Sequence, residues 1–480
     1  MQLFVLHLLF LSVSLIFLYI IKNKNYIGIA HNTTSFFSLL LSLIIFTQRD
    51  HLLGREVEII EVFDGATISF YLDDISLMFL IVSNFLWFLT SLYATRYLNL
   101  NNYDSKNTFY LFFLFSMFAT NSIIYSSNLF TIFIFYEILT LSTYPLVTLD
   151  KKLNSMISGK KYLFILLGTS IIFLLPAIIL TYNLTGNISF LNTNNFANTD
   201  EVTILFILLL FIFGTAKSAI MPFHRWLPNA MVAPTPVSAL LHAVAVVKSG
   251  VFILIKVFLL IFGVNVLSNI NTQLVILIIS TTIVLSSFVA LRQDSIKLRL
   301  AYSTVGQLSY ILLGIIILTP YSIIAALLHF IFHALGKIIL FLSAGIFATN
   351  CKIKNVSEMN GLASCAPLTC LSMTLGALIM IGLPPTIGFI SKWYLLVGVT
   401  NSENYVVLGV IMLSTILNAG YYFPMIYKVY FKEISNQSVT KNSEDRYLVA
   451  PVLFITILSF SLFFYSEILV SFINNIGIIK

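Results

Sequence analysis

Phe213-Gly214-Thr215-Ala216-Lys217-Ser218-Ala219 puts a lysine inside a run, Ile207 to Ile220, that otherwise reads as bilayer interior. The run breaks at Pro222 and passes through His224-Arg225-Trp226-Leu227-Pro228-Asn229-Ala230-Met231. It re-enters an apolar span at Ala233-Pro234-Thr235-Pro236-Val237-Ser238-Ala239-Leu240-Leu241-His242, which carries a second lysine, Lys248. Insertion scales charge a mid-membrane lysine about 3 kcal/mol, so two of them beside a proline break need an interior, wet face to point at. A proton or ion path is the natural reading.

The rest of the chain agrees with a membrane setting. Its 480 residues are 59% apolar and only 9% charged, with a mean hydropathy of +0.97. Too few polar side chains exist to cover a soluble globule. Apolar stretches of about 20 residues, each able to span about 30 Å of hydrocarbon as a helix, recur throughout. Fourteen spans are expected, at about 3–21, 28–47, 74–95, 108–126, 128–149, 161–182, 203–221, 236–262, 272–291, 300–318, 321–347, 367–398, 405–430 and 447–474. The fold class is therefore an all-α polytopic membrane protein. Met1 to Ile21 lacks a basic n-region and a small-residue cleavage site, so it reads as a first span and not a signal peptide. Glu56 to Asp73 alternates around Asp64-Gly65 and predicts an extramembrane β-hairpin.

Cys351, Cys365 and Cys370 fit no metal or iron–sulfur spacing and read as packing residues. No phosphate-cradling loop or dinucleotide fingerprint appears, so no cofactor, no metal and no nucleic-acid partner is expected. The net charge of +7 falls in short loops, where it reports topology. The odd-numbered loops hold eighteen basic residues (Lys22, Lys24, Arg96, Lys106, Lys151, Lys152, Lys160, Lys161, Arg225, Arg292, Lys297, Arg299, Lys352, Lys354, Lys428, Lys432, Lys441 and Arg446), against Arg49 and Arg55 in the even ones. The odd loops are thus cytoplasmic and both termini lie outside. What this bookkeeping leaves is Lys217, Lys248, Lys256, Lys337, Lys392 and Lys480.

Proline breaks fall in the seventh span (Pro222) and the twelfth (Pro384-Pro385), each near a lysine, Lys217 and Lys392. An offset of five spans reverses membrane orientation, so the breaks point to two inverted five-helix repeats. The predicted division is 1–100, a three-helix segment with the hairpin; 101–265 and 266–432, two repeats each forming a proton half-channel; and 433–480, a C-terminal helix.

Glu137 is the carboxylate placed deep within a span and should lie near a cation. With Lys217 it forms either a fixed salt bridge or a pair that opens and closes, the carboxylate's departure pushing the lysine to release its proton. Lys217 and Lys248 stand too deep to snorkel easily, whereas Lys256, near the end of its span, suits snorkelling. His329, His333 and Lys337, spaced four and four, line one helix face, and His242 adds a further imidazole. Such a stripe suits proton relay, with packed, hydrogen-bonded histidines as the alternative. Lys392 is either another buried relay group or an interfacial lysine beside Trp393. Asp74 reads as a helix cap, and Ser303, Thr304 and Gln307 as links between neighbouring helices.

Together these residues resemble the antiporter-like membrane subunits of respiratory complex I (NADH:quinone oxidoreductase), the membrane-bound hydrogenases and the Mrp-type sodium/proton antiporters. The resemblance covers nearly the whole chain, and its core runs from Gly214 to Lys248. It implies fourteen helices in inverted repeats with broken seventh and twelfth helices. It further implies Glu137 and Lys217 as the coupled pair of one half-channel, Lys248 as the central connecting lysine, His242, His329, His333 and Lys337 as the polar central axis, and Lys392 as the exit-side lysine. Length, Lys248 and Lys392 suit the Mrp D-type subunit best. The function expected is proton translocation within a multisubunit membrane assembly, any redox step belonging to partner subunits. A solitary secondary transporter and a structural subunit with an inactive channel are the alternatives. Protons, sodium ions, lipid and other membrane subunits are the expected partners, and a bacterial plasma membrane, with the mitochondrial inner membrane as alternative, is the expected location.

Overall fold

The computed structural model describes residues 2–21, 24–63, 66–191, 196, 199–433 and 444–476. The Asp64-Gly65 turn and Lys22, Lys441 and Lys480 lie outside the described residues. Apolar residues on every face, with backbone groups paired within each segment, make helices the natural solution for a chain immersed in lipid. Among the described residues eleven helices are long and apolar enough to cross a membrane.

In chain order come α1 (Leu3–Ile20), α2 (Lys24–Thr47), strands β1 (Val57–Phe63) and β2 (Ala66–Phe70), α3 (Asp74–Leu100), α4 (Lys106–Tyr125) and α5 (Leu129–Val147). Next are α6 (Leu153–Thr185), α7 (Glu201–Gly214), α8 (Thr235–Phe262), α9 (Gln273–Arg292) and α10 (Ile296–Ile316). Then follow α11 (Pro320–Cys351), α12 (Pro367–Ile381), α13 (Ile387–Asn401), α14 (Tyr405–Phe431) and α15 (Arg446–Phe464). The seventh span is α7 with the irregular segment after it, and the twelfth is α12 and α13 separated by Gly382 to Thr386. Both predicted breaks are present. The tenth span, α10, is long enough but diluted by Ser303, Thr304 and Gln307.

Polar residues start these helices as expected of N-caps. Asn128 accepts from Thr131 N at 2.8 Å ahead of α5, and Asp200 from Thr203 N at 3.0 Å ahead of α7. At α3 the cap is Asp73, whose Oδ1 accepts from Ser76 N at 2.6 Å. Asp74, read from the sequence as the cap, is instead the first helical residue.

The predicted hairpin is present, antiparallel from Val57↔Phe70 to Phe63↔Ala66. β1 is exposed along nearly its whole length, while Ala66, Ser69 and Phe70 of β2 turn inward. There Ser69 N donates to Thr131 Oγ1 at 3.1 Å and Asn128 Nδ2 to Ser69 Oγ at 2.9 Å.

The chain forms two compact units. The first holds Met1–Ser91, Asp104–Ala233 and Val244–Val275; the second holds Leu92–Tyr103, Pro234–Ala243 and Ile276–Lys480.

Two basic residues are not where their spacing put them. Lys256 does not snorkel: it is fully buried, its Nζ 3.0 Å from Asp73 Oδ2, with Tyr71, Phe190 and Phe252 rings about it. The Tyr71 hydroxyl also bonds the Asp73 carboxylate. A carboxylate at the head of α3 thus supplies the counter-charge that snorkelling would have sought in water. Arg299, counted as a loop residue, is buried in the first turn of α10, where it donates to Gln293 O and Tyr421 O. The three cysteines are buried, as packing residues are.

Candidate functional site

In the first unit the helix stops before the lysine, not at the proline. α7 ends at Gly214, and Lys217 sits in a tight turn, Ala216–Ser218, followed by Ala219 at a φ of 60°. In the turn that follows, Ala216 O accepts from Ala219 N at 2.9 Å and from Trp226 Nε1 at 2.8 Å, which ties the turn to the segment beyond Pro222. The turn is pressed onto α8. A Cβ on Gly250 would lie 2.8 Å from Lys217 Cβ and closer still to the backbone at Ser218 N, so only glycine fits there. Lys248, one half-turn earlier on α8, is buried.

The fully buried Lys217 Nζ donates to Tyr136 O and to Thr140 Oγ1, both at 2.7 Å. It lies 3.0 Å from the centre of the Tyr136 ring, and Lys217 N donates to Tyr136 Oη at 3.2 Å. Residues 136 and 140 are one helical turn apart and share a face of α5. Glu137 is about 100° further round that helix. Its carboxylate is within electrostatic range of Lys217 but not in contact, so the expected pair is not closed in this structure. Both carboxylate oxygens are buried and lack a hydrogen-bond partner among the described residues. Ser170, in the wider helical turn of α6, is the hydroxyl facing them, but it is engaged with Leu166 O and Leu167 O at 3.0 Å.

In the second unit one face of α10 serves three of the expected groups. Lys337 Nζ donates to Leu300 O at 3.1 Å and Ser303 Oγ at 2.7 Å. His242 Nδ1 lies 3.0 Å from Thr304 Oγ1, and His329 Nε2 lies 3.0 Å from Gln307 Oε1. Thr304 spends its only proton on Leu300 O, so His242 Nδ1 is the donor. Gln307 Nε2 donates to Met380 O, which turns Oε1 toward His329 and makes Nε2 a donor too. His329 Nδ1 meets Ser391 Oγ at 3.0 Å, and that hydroxyl has a second acceptor in Gly388 O at 3.1 Å. His329 therefore bonds Ser391 in either protonation state, the hydroxyl rotating to suit. His333 is fully buried, its ring centre 6.2 Å from that of His329.

Lys392 is only 5% exposed, while its neighbour Trp393 is exposed. Its Nζ donates to Ile381 O at 2.7 Å and to Thr415 Oγ1 at 3.3 Å. Ile381 is the last residue of α12, so this lysine caps the carbonyl end of a broken helix, where the peptide dipoles favour a cation.

What the sequence reading missed are the lysine partners Tyr136, Thr140, Thr415 and Tyr422, with Asn418 and Tyr421 beside them. A signal was present in the last four, a polar cluster in an apolar span.

The transmembrane-domain model of the NADH:quinone oxidoreductase/Mrp antiporter family matches residues 126–418. The antiporter subunit mnhA2 of Staphylococcus haemolyticus is 31% identical over 400 residues, 78% of this chain and 49% of that protein. NADH-quinone oxidoreductase subunit N of Desulforudis audaxviator is 32% identical over 346 residues, 71% of this chain and 68% of the relative. The chain spans about half the length of the mnhA2 relatives it matches. Two solved structures share the fold at a TM-score of 0.87. One is a chain of the archaeal membrane-bound sulfane sulfur reductase, at 23% identity with 99% of this chain and 96% of that one covered. The other is a chain of the Mrp complex from Dietzia sp. DQ12-45-1b, at 19% identity with 99% and 98% covered. These likenesses show the family and do not single out its D-type branch. An integral membrane fold, a broken helix bearing a buried lysine in each unit and a family match over more than half the length lead to one conclusion: the chain belongs to the transmembrane antiporter-like family shared by NADH:quinone oxidoreductase and the Mrp antiporters.

Proposed function

We propose that this chain is a proton-translocating antiporter-like subunit of a multisubunit membrane complex. The observation that carries the reading is the contrast between its buried lysines. Lys256 is locked to a carboxylate at 3.0 Å. Lys217, Lys337 and Lys392 form no salt bridge among the described residues and are held by carbonyls and hydroxyls. A hydroxyl can accept from an ammonium and, rotated, donate to an amine, so such a site accommodates both protonation states. A locked ion pair does not.

In this mechanism Glu137 approaches Lys217 to stabilise its charged form and withdraws to expel the proton. Lys248, His242, His333 and His329 carry it onward, and Lys337 and Lys392 serve the second half-channel. A shift of one pKa unit is worth about 1.4 kcal/mol, and moving one charge through 100 mV costs about 2.3, so a few units per cycle suffice. The residue blocks 101–265 and 266–432 serve as two inverted repeats, each with one half-channel. The partners are other membrane subunits, with sodium as a candidate counter-ion, and the membrane is the bacterial plasma membrane.

Proton and sodium flux in inverted vesicles containing the native complex tests this. Sodium-dependent proton movement without an electron donor marks an antiporter subunit, and proton movement only with a donor marks a redox-pump subunit. No proton movement under either condition contradicts the proposal.

A further inference from the structure

α14 contributes none of the proton carriers named in the proposed mechanism, yet it bears a polar face buried inside the second unit. Thr415, Asn418, Tyr421 and Tyr422 are spaced three, three and one, so they line one side of the helix. Asn418, Tyr421 and Tyr422 are at most 1% exposed. The two ends of this face touch the unit's two buried lysines among the described residues. Thr415 Oγ1 accepts from Lys392 Nζ at 3.3 Å. Tyr422 Oη accepts from Lys337 Nζ at 3.3 Å and lies 2.9 Å from Ser303 Oγ, which itself accepts from Lys337 at 2.7 Å. Tyr421 Oη lies 2.9 Å from Ser303 Oγ and 2.6 Å from Asn418 Oδ1. Its single proton can serve either acceptor, and the choice reverses the direction of the chain.

We propose that this face of α14 is the proton route between Lys337 and Lys392, distinct from the His333 and His329 imidazoles on α11. The inference rests on the proton-translocation reading. Lys337 Nζ passes a proton to Ser303 Oγ, Ser303 passes its own to Tyr421 Oη, and Tyr421 passes its own to a water molecule. That water's proton moves through Thr415 Oγ1 to the Lys392 amine. Each hydroxyl and the water gain one proton and lose one, so the net change is one proton from Lys337 to Lys392. From 418 to 415 the helix rises about 4.5 Å, a step that one water bridges. Asn418 Nδ2 is buried with no acceptor among the described residues, as a group that holds such a water would be. Asn418 positions the water and does not carry the proton.

The test is donor- or sodium-driven proton flux in vesicles holding the native complex, with assembly checked on native gels. Asn418→Leu is expected to lower flux at least tenfold in assembled complex, and Asn418→Ser, which restores a polar group in less volume, to recover most of it. Tyr421→Phe combined with Tyr422→Phe, which keeps ring volume, is expected to act like Asn418→Leu and stands in for it should Leu prevent assembly. Wild-type flux in the Tyr double variant, or Asn418→Ser as impaired as Asn418→Leu, overturns the inference. Lys337→Met in the same assay separates the two levels: its loss of flux upholds the underlying proton path whatever the α14 variants do, and its retention of flux contradicts that path and this inference together.

Discussion

Lys217 donates to the Thr140 hydroxyl at 2.7 Å, while Glu137, three residues earlier on the same helix, stands apart from it. The acid and the lysine are thus poised and not joined. A hydrogen bond between a charged and a neutral group contributes about 1.5–3 kcal/mol. Thr140→Val, nearly isosteric, removes this one and is expected to lower proton flux about tenfold or more with assembly intact; vesicle flux measured beside a native gel checks it.

Gly250→Ala is expected to impair transport without altering any titratable group. The added methyl meets the Lys217 turn, and overpacking of this kind costs about 1–3 kcal/mol. Displacement of Lys217 from Thr140 should appear as reduced flux at normal abundance. Unchanged flux would mean that the turn yields without moving the side chain.

Lys256 makes a different prediction because its charge has a fixed partner. Removing one member of a buried pair costs about 3–5 kcal/mol. Lys256→Met should therefore lower the thermal midpoint and abundance of the chain, and combining it with Asp73→Asn should recover part of the loss. Lys256→Arg keeps the charge and should retain flux. A thermal-shift assay in detergent reads the first two, and vesicle flux reads the third.

Outside the membrane, Asp445 caps α15 by accepting from Tyr447 N and Leu448 N, and it takes two hydrogen bonds from Arg96, at 2.6 and 2.9 Å. Burial pushes its carboxyl up, but Arg96 and the two amides together hold it below the ordinary carboxylate range. A depressed folded value means the contribution is present above the unfolded value, about 4, and lost as pH falls through the folded one. Protection of the Tyr447 and Leu448 amides against hydrogen exchange should be lost as pH falls below about 4 in wild type, and at a higher pH in Arg96→Gln, where the carboxyl is held down less.

How far the sequence reaches follows from these residues. Spans, breaks and buried lysines were legible because each departs from a uniform apolar background. The end of α7 at Gly214 was not, since the residues between it and Pro222 are individually compatible with a helix. Asp73 and Lys256 are far apart in the chain, and only packing brings the cap of α3 to the C-terminal part of α8. Thr140 and Ser303 are ordinary residues for a membrane helix, and nothing local distinguishes a hydroxyl that receives a lysine from one that returns to its own backbone. Arg299 reads as a loop charge until the Tyr421 carbonyl that receives it is known.

The central claim is that Lys217 moves protons and does not merely hold α5 in place. Proton flux through assembled complex in inverted vesicles, comparing wild type with Lys217→Ala, tests it most directly. The variant is expected to assemble and its flux, whether sodium-driven or donor-driven, to be abolished. Wild-type flux through an assembled Lys217→Ala complex would contradict it.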